Sequence, residues 1–247
     1  MAQKKPLPLI SCVCITKNRP DFLYKAIVNF KNQSFSNKEL IVVFEHLDLT
    51  TRRIVTEIND TTIIPLIVNS FKELTLGALR NLGIESANGD YICQWDDDDW
   101  YHADRLKLQY EAAIKSGLKG SILTRWIIYN NITKKTYVSE SGLKEGTILC
   151  EKEIMINNPY PNKRICEDTE VVFHLFDSGF LSPINDSHKL YIYVIHGQNT
   201  WDTPHFDEMI SFATPLPATS SNQIQLVLDK KHPLKTDSLI IDDLIIE

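Results

Sequence analysis

Residues 91–100 read Tyr-Ile-Cys-Gln-Trp-Asp-Asp-Asp-Asp-Trp, so that a short apolar run ends in four consecutive carboxylates, Asp96 to Asp99, bracketed by Trp95 and Trp100. Adjacent like charges repel and raise one another's pKa, and a fold that keeps them together calls for a cation. Carboxylate oxygens suit Mg²⁺ or Mn²⁺, and an ion held by few carboxylates commonly completes its shell with substrate phosphates. The run therefore marks a candidate metal-assisted site for a phosphorylated substrate at the end of a strand. Solvated acidic loops and calcium-binding loops share this composition, so the flanking sequence has to discriminate.

Upstream, Ile10–Thr16 is apolar on both faces and β-branched, the pattern of a strand buried in a parallel sheet. Pro20 suits the first turn of a helix that Phe22, Leu23, Ala26, Ile27 and Phe30 continue to Asn32. Further strands are predicted at Leu40–Phe44 and Ile63–Val68, the second near a sheet edge or bulge because of Pro65. Helices are predicted over Thr50–Ile58 and Leu74–Ala87, and a strand over Tyr91–Trp95. Downstream, Ala103–Ser116 reads as a helix, which puts the acidic run between a strand and a helix. Strands alternating with helices at this spacing predict a doubly wound α/β sheet, and ligands bind such sheets beyond the carboxyl ends of the strands.

The second half changes character. Ser121–Tyr129 and Lys135–Ser139 predict a hairpin around Asn130-Asn131, followed by an extended piece over Gly146–Cys150, a helix over Glu167–Ser178 and a strand over Leu190–Ile195. The tail from Asp237 alternates Ile-Ile with Asp-Asp, a segment to pack on the body or serve a partner.

The order of Thr16-Lys17-Asn18-Arg19 after the first strand, then Gly77–Ile84 with Ala87–Ile92, then Asp96–Asp99, resembles glycosyltransferase family 2. The resemblance covers about residues 8–200. It implies a GT-A fold, a doubly wound mixed sheet with a nucleotide-sugar-binding half (about 8–105) and a more antiparallel acceptor half (about 106–200), with 201–247 as a C-terminal extension. It also implies a nucleotide-diphospho-sugar donor, Mn²⁺ or Mg²⁺ at a DXD motif, and inversion at the anomeric carbon. Asp96 and Asp98 match the two acids of that motif, and Asp98 is the foremost metal ligand. Asp99 supports the site, and Asp97, counted with the donor-binding residues, is expected to tolerate substitution best.

Glu167-Asp168 matches the family's ED motif, in which the aspartate is the general base; the alternative is a pair of helix caps. Thr16, Asn18 and Arg19 fall where the family places the nucleotide. Arg80 either meets a phosphate or forms an ion pair. Relatives carry an acidic end to the second strand that reads uracil, whereas this chain has Phe44-Glu45-His46, so Glu45 is the substitute and a UDP donor stands beside a GDP one. His196 is either a further metal ligand or a hydrogen-bonded structural residue, and His205 is a weaker candidate. The four tryptophans are either buried or a sugar-stacking platform.

Composition is that of a water-soluble globular chain. Over 247 residues, 26 basic against 32 acidic side chains give a net charge of −6, which argues against a broad nucleic-acid surface. Five cysteines without CxxC spacing indicate neither a disulfide framework nor a zinc site, and fit a reducing cytoplasm. No stretch approaches the roughly 20 apolar residues of a membrane span. The expected setting is the cytoplasm, including the inner face of the membrane, with a glycan or lipid-linked acceptor. Two other classes stay open: a nucleotidyltransferase, although the loop after the first strand lacks the glycines that wrap a triphosphate, and a non-catalytic sugar- or nucleotide-binding module.

Overall fold

A computed structural model describes residues 6–69, 74–229 and 234–244. The last three residues of the tail considered above lie outside these ranges. The elements run β1 (Ile10–Ile15), α1 (Pro20–Lys31), β2 (Lys38–Glu45), α2 (Leu49–Ile58), β3 (Ile63–Val68), α3 (Leu76–Ser86), β4 (Tyr91–Gln94), β5 (Trp100–Tyr101), α4 (Arg105–Ser116), β6 (Gly120–Leu123), β7 (Ile127–Asn130) and β8 (Lys135–Val138). They continue β9 (Leu149–Glu151), α5 (Lys152–Asn157), α6 (Glu167–Asp177), β10 (Leu181–Ile184), β11 (Tyr191–Ile195), α7 (Thr203–Ser211), β12 (Thr214–Pro215), α8 (Ala218–Leu228) and α9 (Leu234–Asp242).

The first sheet has the order β10-β6-β9-β4-β1-β2-β3. β1, β2, β3 and β4 are parallel, as their two-faced apolar pattern predicts, and Leu40 to Phe44 are completely buried. β3 lies at the sheet edge, where the missing N–H of Pro65 costs no ladder bond. β9 enters antiparallel between β4 and β6 and makes the sheet mixed. Helical glycines let the layers approach: a Cβ on Gly83 of α3 would stand 2.4 Å from Val13 Cγ1 on β1.

The second half differs from its sequence reading. The predicted strand Ser121–Tyr129 is two strands in two sheets: β6 joins the first, while β7 joins a second sheet of order β12-β8-β7-β11-β5. The break falls at Thr124-Arg125, whose amides both donate to Ser187 Oγ (3.2 and 3.1 Å), so a side-chain acceptor replaces the ladder where the chain crosses between sheets. The polar pair Thr124-Arg125 interrupts the segment here, but the partner that divides it, Ser187, lies too far along the chain for a local pattern to reveal. Gly146 begins no strand; it sits in a 3₁₀ turn, Glu145–Thr147, before β9. The predicted hairpin partner is present as β8, antiparallel to β7.

The acidic run is the connection between the sheets. β4 ends in the first, Asp96–Asp99 turn, and β5 pairs antiparallel with β11 in the second, Trp100 facing Ile192. Two C-terminal helices cover the second sheet, with Ile224, Val227, Ile241 and Leu244 packed on Trp100, Ile127, Tyr129 and Ile192. Trp95 and Trp100 are thus core residues that fix both ends of the run, buried to 0% and 3% exposure. Four cysteines are buried, Cys166 is exposed, and none is paired. No helix among the described residues is long and apolar enough to cross a membrane.

Candidate active site

The carboxyl ends of β1, β4 and β11 meet the first turn of α6 in one cleft, and the four consecutive acids divide among them. Asp96, the most open of the four, accepts from Arg80 Nη2 at 3.1 Å. Its backbone N–H donates to the Tyr101 hydroxyl at 2.8 Å, which ties the turn to β5. Gly146 passes so close that a Cβ there would lie 2.9 Å from Asp96 Oδ2.

Asp97 turns inward to the loop after β1, accepting from Thr16 Oγ1 at 2.7 Å and from Arg19 at 3.2 Å. The residue expected to be the most replaceable of the run is therefore 4% exposed and holds two elements together. Asp98 accepts from Arg19 Nη1 at 2.9 Å and from His196 Nε2 at 3.1 Å. Asp99 is buried, bonded to the Tyr191 hydroxyl and to the Val194 amide at 3.0 Å, and so clamps β11 against the run.

These partners answer the repulsion that the sequence poses. Burial works against ionised Asp98, yet the His196 hydrogen bond and the Arg19 charge bring its carboxyl below the usual range. Burial, then the Asp98 charge, pushes Asp97 up to about 7, with Thr16 and Arg19 opposing. Burial, with Asp98 and Asp96 nearby, drives Asp99 well above the ordinary value. Charge thus concentrates on Asp98, and its neighbours Asp97 and Asp99 hold protons more readily.

His196 follows β11. Its Nδ1 accepts from the Gln198 amide at 3.2 Å, so the ring proton resides on Nε2 and is donated to Asp98. Its ring packs on Phe22 of α1 at 4.6 Å between centroids. A carboxylate beside an imidazole suits Mn²⁺ or Mg²⁺ by donor type. Ligation through Nε2 requires the proton on Nδ1, hence release of the Gln198 amide. Among the described residues no group of three or more His, Cys, Asp or Glu is placed to hold a metal, so a bound ion would draw the rest of its shell from substrate and water.

On the opposite wall, Arg80 of α3 donates through Nε to Glu167 Oε1 at 2.8 Å and bridges it to Asp96. Glu167 is 2% exposed, so its charge is spent on Arg80. Burial raises its carboxyl, and Arg80 is the main opposing charge. Of the two orientations of the Gln94 amide, the one with oxygen toward Arg80 Nη2 (2.9 Å) and nitrogen toward the Tyr160 hydroxyl (3.1 Å) satisfies both neighbours; the reverse aims its NH₂ at the guanidinium. The cap of α6 is Cys166, in a left-handed conformation (φ 57°) with no side-chain cap bond, so neither Glu167 nor Asp168 serves as the N-cap. Asp168 lines the cleft one residue further on.

Other expected residues lie elsewhere. Asn18 is exposed in a left-handed turn (φ 52°), its amide held at 2.7 Å by buried Asp48, the N-cap of α2. Glu45, half-buried at the end of β2, is not among the residues lining the cleft. Of the tryptophans, Trp201 reaches the cleft and stacks on His205 at 4.1 Å, which engages His205 away from Asp98. Sequence reasoning missed Asp48, Tyr191, Gly146 and Lys144. Lys144 lines the cleft from the turn before β9, with no periodic pattern to announce it.

The profile of glycosyl transferase family 2 matches residues 11–179, more than half of the chain. The chain belongs to glycosyltransferase family 2. An uncharacterized glycosyltransferase of Haemophilus influenzae is 27% identical over 177 residues, 63% of this chain and 67% of that one. The UDP-Glc:alpha-D-GlcNAc-diphosphoundecaprenol beta-1,3-glucosyltransferase WfgD of Escherichia coli is 24% identical over 163 residues, 62% of this chain and 63% of that one. The chain thus spans about two thirds of the length of these curated relatives. Among solved structures, the mannosyltransferase PcManGT from Pyrobaculum calidifontis in complex with GDP-Man and Mn²⁺ superposes with a TM-score of 0.58 at 12% identity, over 94% of this chain and 68% of that one. S. aureus TarS 1–349 in complex with UDP-GlcNAc gives 0.57 at 12% identity, over 94% and 70%. At these identities the likeness establishes the fold, which is GT-A-like. Within this family 2 domain the acidic run occupies the crossing between the two sheets.

Proposed function

We propose that this family 2 chain transfers a sugar from a nucleotide-diphospho-sugar to a hydroxyl of a glycan or lipid-linked acceptor, with inversion at the anomeric carbon. The observation that carries the reading is one cleft lined on one side by Asp98, which His196 backs at 3.1 Å, and on the other by Asp168, with Arg80 of that second wall reaching Asp96.

On the first wall, Thr16 and Arg19 stand at the nucleotide end, and Asp98 with His196 would hold Mn²⁺ or Mg²⁺. Such an ion supplies charge stabilisation to the departing diphosphate without proton transfer. Asp98 is suited to this because its partners keep it ionised. On the second wall, Asp168 takes the proton of the attacking hydroxyl; a single displacement needs one base opposite the leaving group. Glu167 leaves that base alone because its charge is committed to Arg80. Arg80 in turn holds Asp96 at the rim, and Asp97 fixes the Thr16–Arg19 loop from below.

Similarity to proteins whose names specify UDP-glucose, UDP-GlcNAc and GDP-mannose supports a nucleotide-sugar donor and leaves UDP and GDP as the two candidates. The relative named for a diphosphoundecaprenol substrate supports a lipid-linked acceptor and work at the inner face of the membrane. The catalytic unit is residues 1–200, with 201–247 as an extension.

Incubation with UDP- and GDP-sugars and Mn²⁺ tests this. Release of nucleoside diphosphate, abolished by EDTA and reduced at least a hundredfold in Asp168→Asn with a supplied acceptor, is the expected result. Pyrophosphate released from a nucleoside triphosphate would instead mean nucleotidyl transfer, and no product from any donor would mean a binding module.

A further inference from the structure

Among the described residues three basic side chains bond to Asp96–Asp98, and they differ in what else holds them. Arg80 is buried, with 7% of its side chain exposed, and is committed to Glu167 as well as to Asp96. The His196 ring is buried too, against Phe22. Arg19 is the accessible one: 28% of its side chain meets solvent, where water screens an ion pair and lets it exchange at little cost. Its backbone is fixed, since its carbonyl accepts from the Leu23 amide at 3.0 Å in the first turn of α1, so an exchange moves the side chain alone.

One guanidinium reaches both residues proposed to hold the metal. Nη1 donates to Asp98 Oδ2 at 2.9 Å, the oxygen that also receives His196 Nε2–H at 3.1 Å. A carboxylate oxygen offers two lone pairs, and both are then taken. Nη2 donates to the Gln198 carbonyl at 2.5 Å, while the amide of the same residue donates to His196 Nδ1 at 3.2 Å. Arg19 therefore anchors the residue that keeps the His196 ring proton on Nε2, the nitrogen that faces Asp98. An ion shared by Asp98 and His196 takes Oδ2, which faces the ring, and a bare Nε2. Arg19 stands against both.

Where the side chain goes on leaving is set by its position. Arg19 lines the cleft that holds Asp98 and also the groove beside Thr16 and Lys17, a groove that neither Asp98 nor His196 lines. A guanidinium presents a planar fork of donors that suits phosphate oxygens, and it can satisfy two of them at once. A diphosphate in that groove thus offers Arg19 anionic acceptors in place of those it gives up.

We infer that Arg19 is the latch of the cation site: it holds Asp98 directly, and His196 through Gln198, in their unligated arrangement, and it is exchanged onto the diphosphate when ion and nucleotide enter. This rests on the transferase reading above and adds to it how metal and donor binding are coupled: the residue that meets the donor suppresses metal binding until the donor arrives.

Binding measurements test the inference without requiring turnover. Free Mn²⁺ is followed by electron paramagnetic resonance as it is titrated, without nucleotide, into wild type, Arg19→Met and Arg19→Lys. UDP and GDP, each with Mg²⁺, are titrated calorimetrically, and the ring-proton position of His196 is read from ¹⁵N imidazole spectra assigned by comparison with His196→Gln. Expected for Arg19→Met are about tenfold tighter Mn²⁺ binding, a shift of His196 toward the Nδ1–H tautomer, and about tenfold weaker binding of the nucleoside diphosphate that wild type prefers. An arginine that merely supports the fold would not tighten metal binding while weakening nucleotide binding. Arg19→Lys keeps the positive charge but not the fork and should move each quantity in the same direction by a smaller factor, so the test survives if the methionine variant does not fold. The inference is overturned if neither variant binds Mn²⁺ more tightly than wild type, if His196 keeps its proton on Nε2 in both, or if nucleoside diphosphate affinity is unchanged. Mn²⁺-dependent donor hydrolysis by wild type without any tightening in the variants would sink the latch and leave the transferase reading standing. All three expected shifts, in a protein whose wild type hydrolyses no donor, would do the reverse.

Discussion

Replacing Arg80 with methionine removes the cation between two walls of the cleft while keeping an unbranched stem of similar length. The partner left behind is Glu167, a residue 2% exposed whose Oε1 accepts a 2.8 Å hydrogen bond from Arg80 Nε. Removing one member of a buried pair typically costs about 3–5 kcal/mol, because the other charge remains desolvated. Asp96 adds at most about 1 kcal/mol, since its side chain is 28% exposed and water screens it. Protonation of Glu167 relieves part of this, so about 3 kcal/mol is expected at pH 8. With a urea slope of roughly 2–3 kcal/mol/M, the midpoint falls by about 1 M. The sign with pH follows: an unpaired buried Glu167 has a raised folded-state pKa, the folded state then binds more protons than the unfolded one, and the deficit shrinks as pH falls from 8 to 5. Urea unfolding followed by circular dichroism at both pH values measures it. Arg80→Met with Glu167→Gln should recover most of the loss. A single-variant cost below about 1 kcal/mol, or no recovery in the double variant, would refute the bridging role.

Three further outcomes are expected. Gly77→Ala places a Cβ 2.0 Å from the Pro161 carbonyl oxygen, beside the Gly77 N–H to Lys163 carbonyl bond, and should cost about 1–3 kcal/mol in urea unfolding by forcing the 161–163 loop off α3. Asp60, held down to about 2 by the Lys31 ammonium and by Thr62, contributes stability that is present above pH 4 and lost as pH falls through 2. Because Lys31 is half exposed, Asp60→Asn should cost only about 0.5–1 kcal/mol at pH 7 and a small fraction of that at pH 2, measured as the difference in unfolding free energy. Asp97→Ala should lower the melting temperature by several degrees, because it strips Thr16 and Arg19 of a buried partner; a melting temperature equal to wild type would contradict its placement.

The first half of the fold was legible because its signals are local. Buried parallel strands such as Leu40–Phe44 are apolar on both faces, and Pro65 declares an edge without reference to anything distant. The second half depends on partners: Ser121–Tyr129 reads as one extended segment, in which Thr124-Arg125 could equally face solvent within a single strand, yet Ser187, more than sixty residues away, divides it between sheets at that pair. The same distinction runs through the site. Asp96, Asp98, Arg80, Asp168 and His196 were all singled out by residue type and position, and they line or border one cleft. Glu45 and Asn18 were placed by the family resemblance alone, and neither lines this cleft, although Arg19, next to Asn18, does. Asp97 looked replaceable because the motif match fell on Asp96 and Asp98 and passed over it; here the loop after β1 comes down on it instead. Lys144 was invisible because the three rings around its ammonium come from distant strands and loops.

In the proposed mechanism Asp98, kept ionised beside His196, couples a divalent cation to the diphosphate of a nucleotide sugar. Melting curves of wild type and Asp98→Asn with Mn²⁺, with UDP or GDP, and with both together test it most directly. At a hundredfold excess over the dissociation constant, binding adds about 2.7 kcal/mol, or roughly 5–10 °C for a chain of this size. That rise is expected in wild type only when Mn²⁺ and one of the nucleotides are both present, and is expected to be absent in Asp98→Asn. An equal rise in Asp98→Asn, or a wild-type rise indifferent to Mn²⁺, would contradict it.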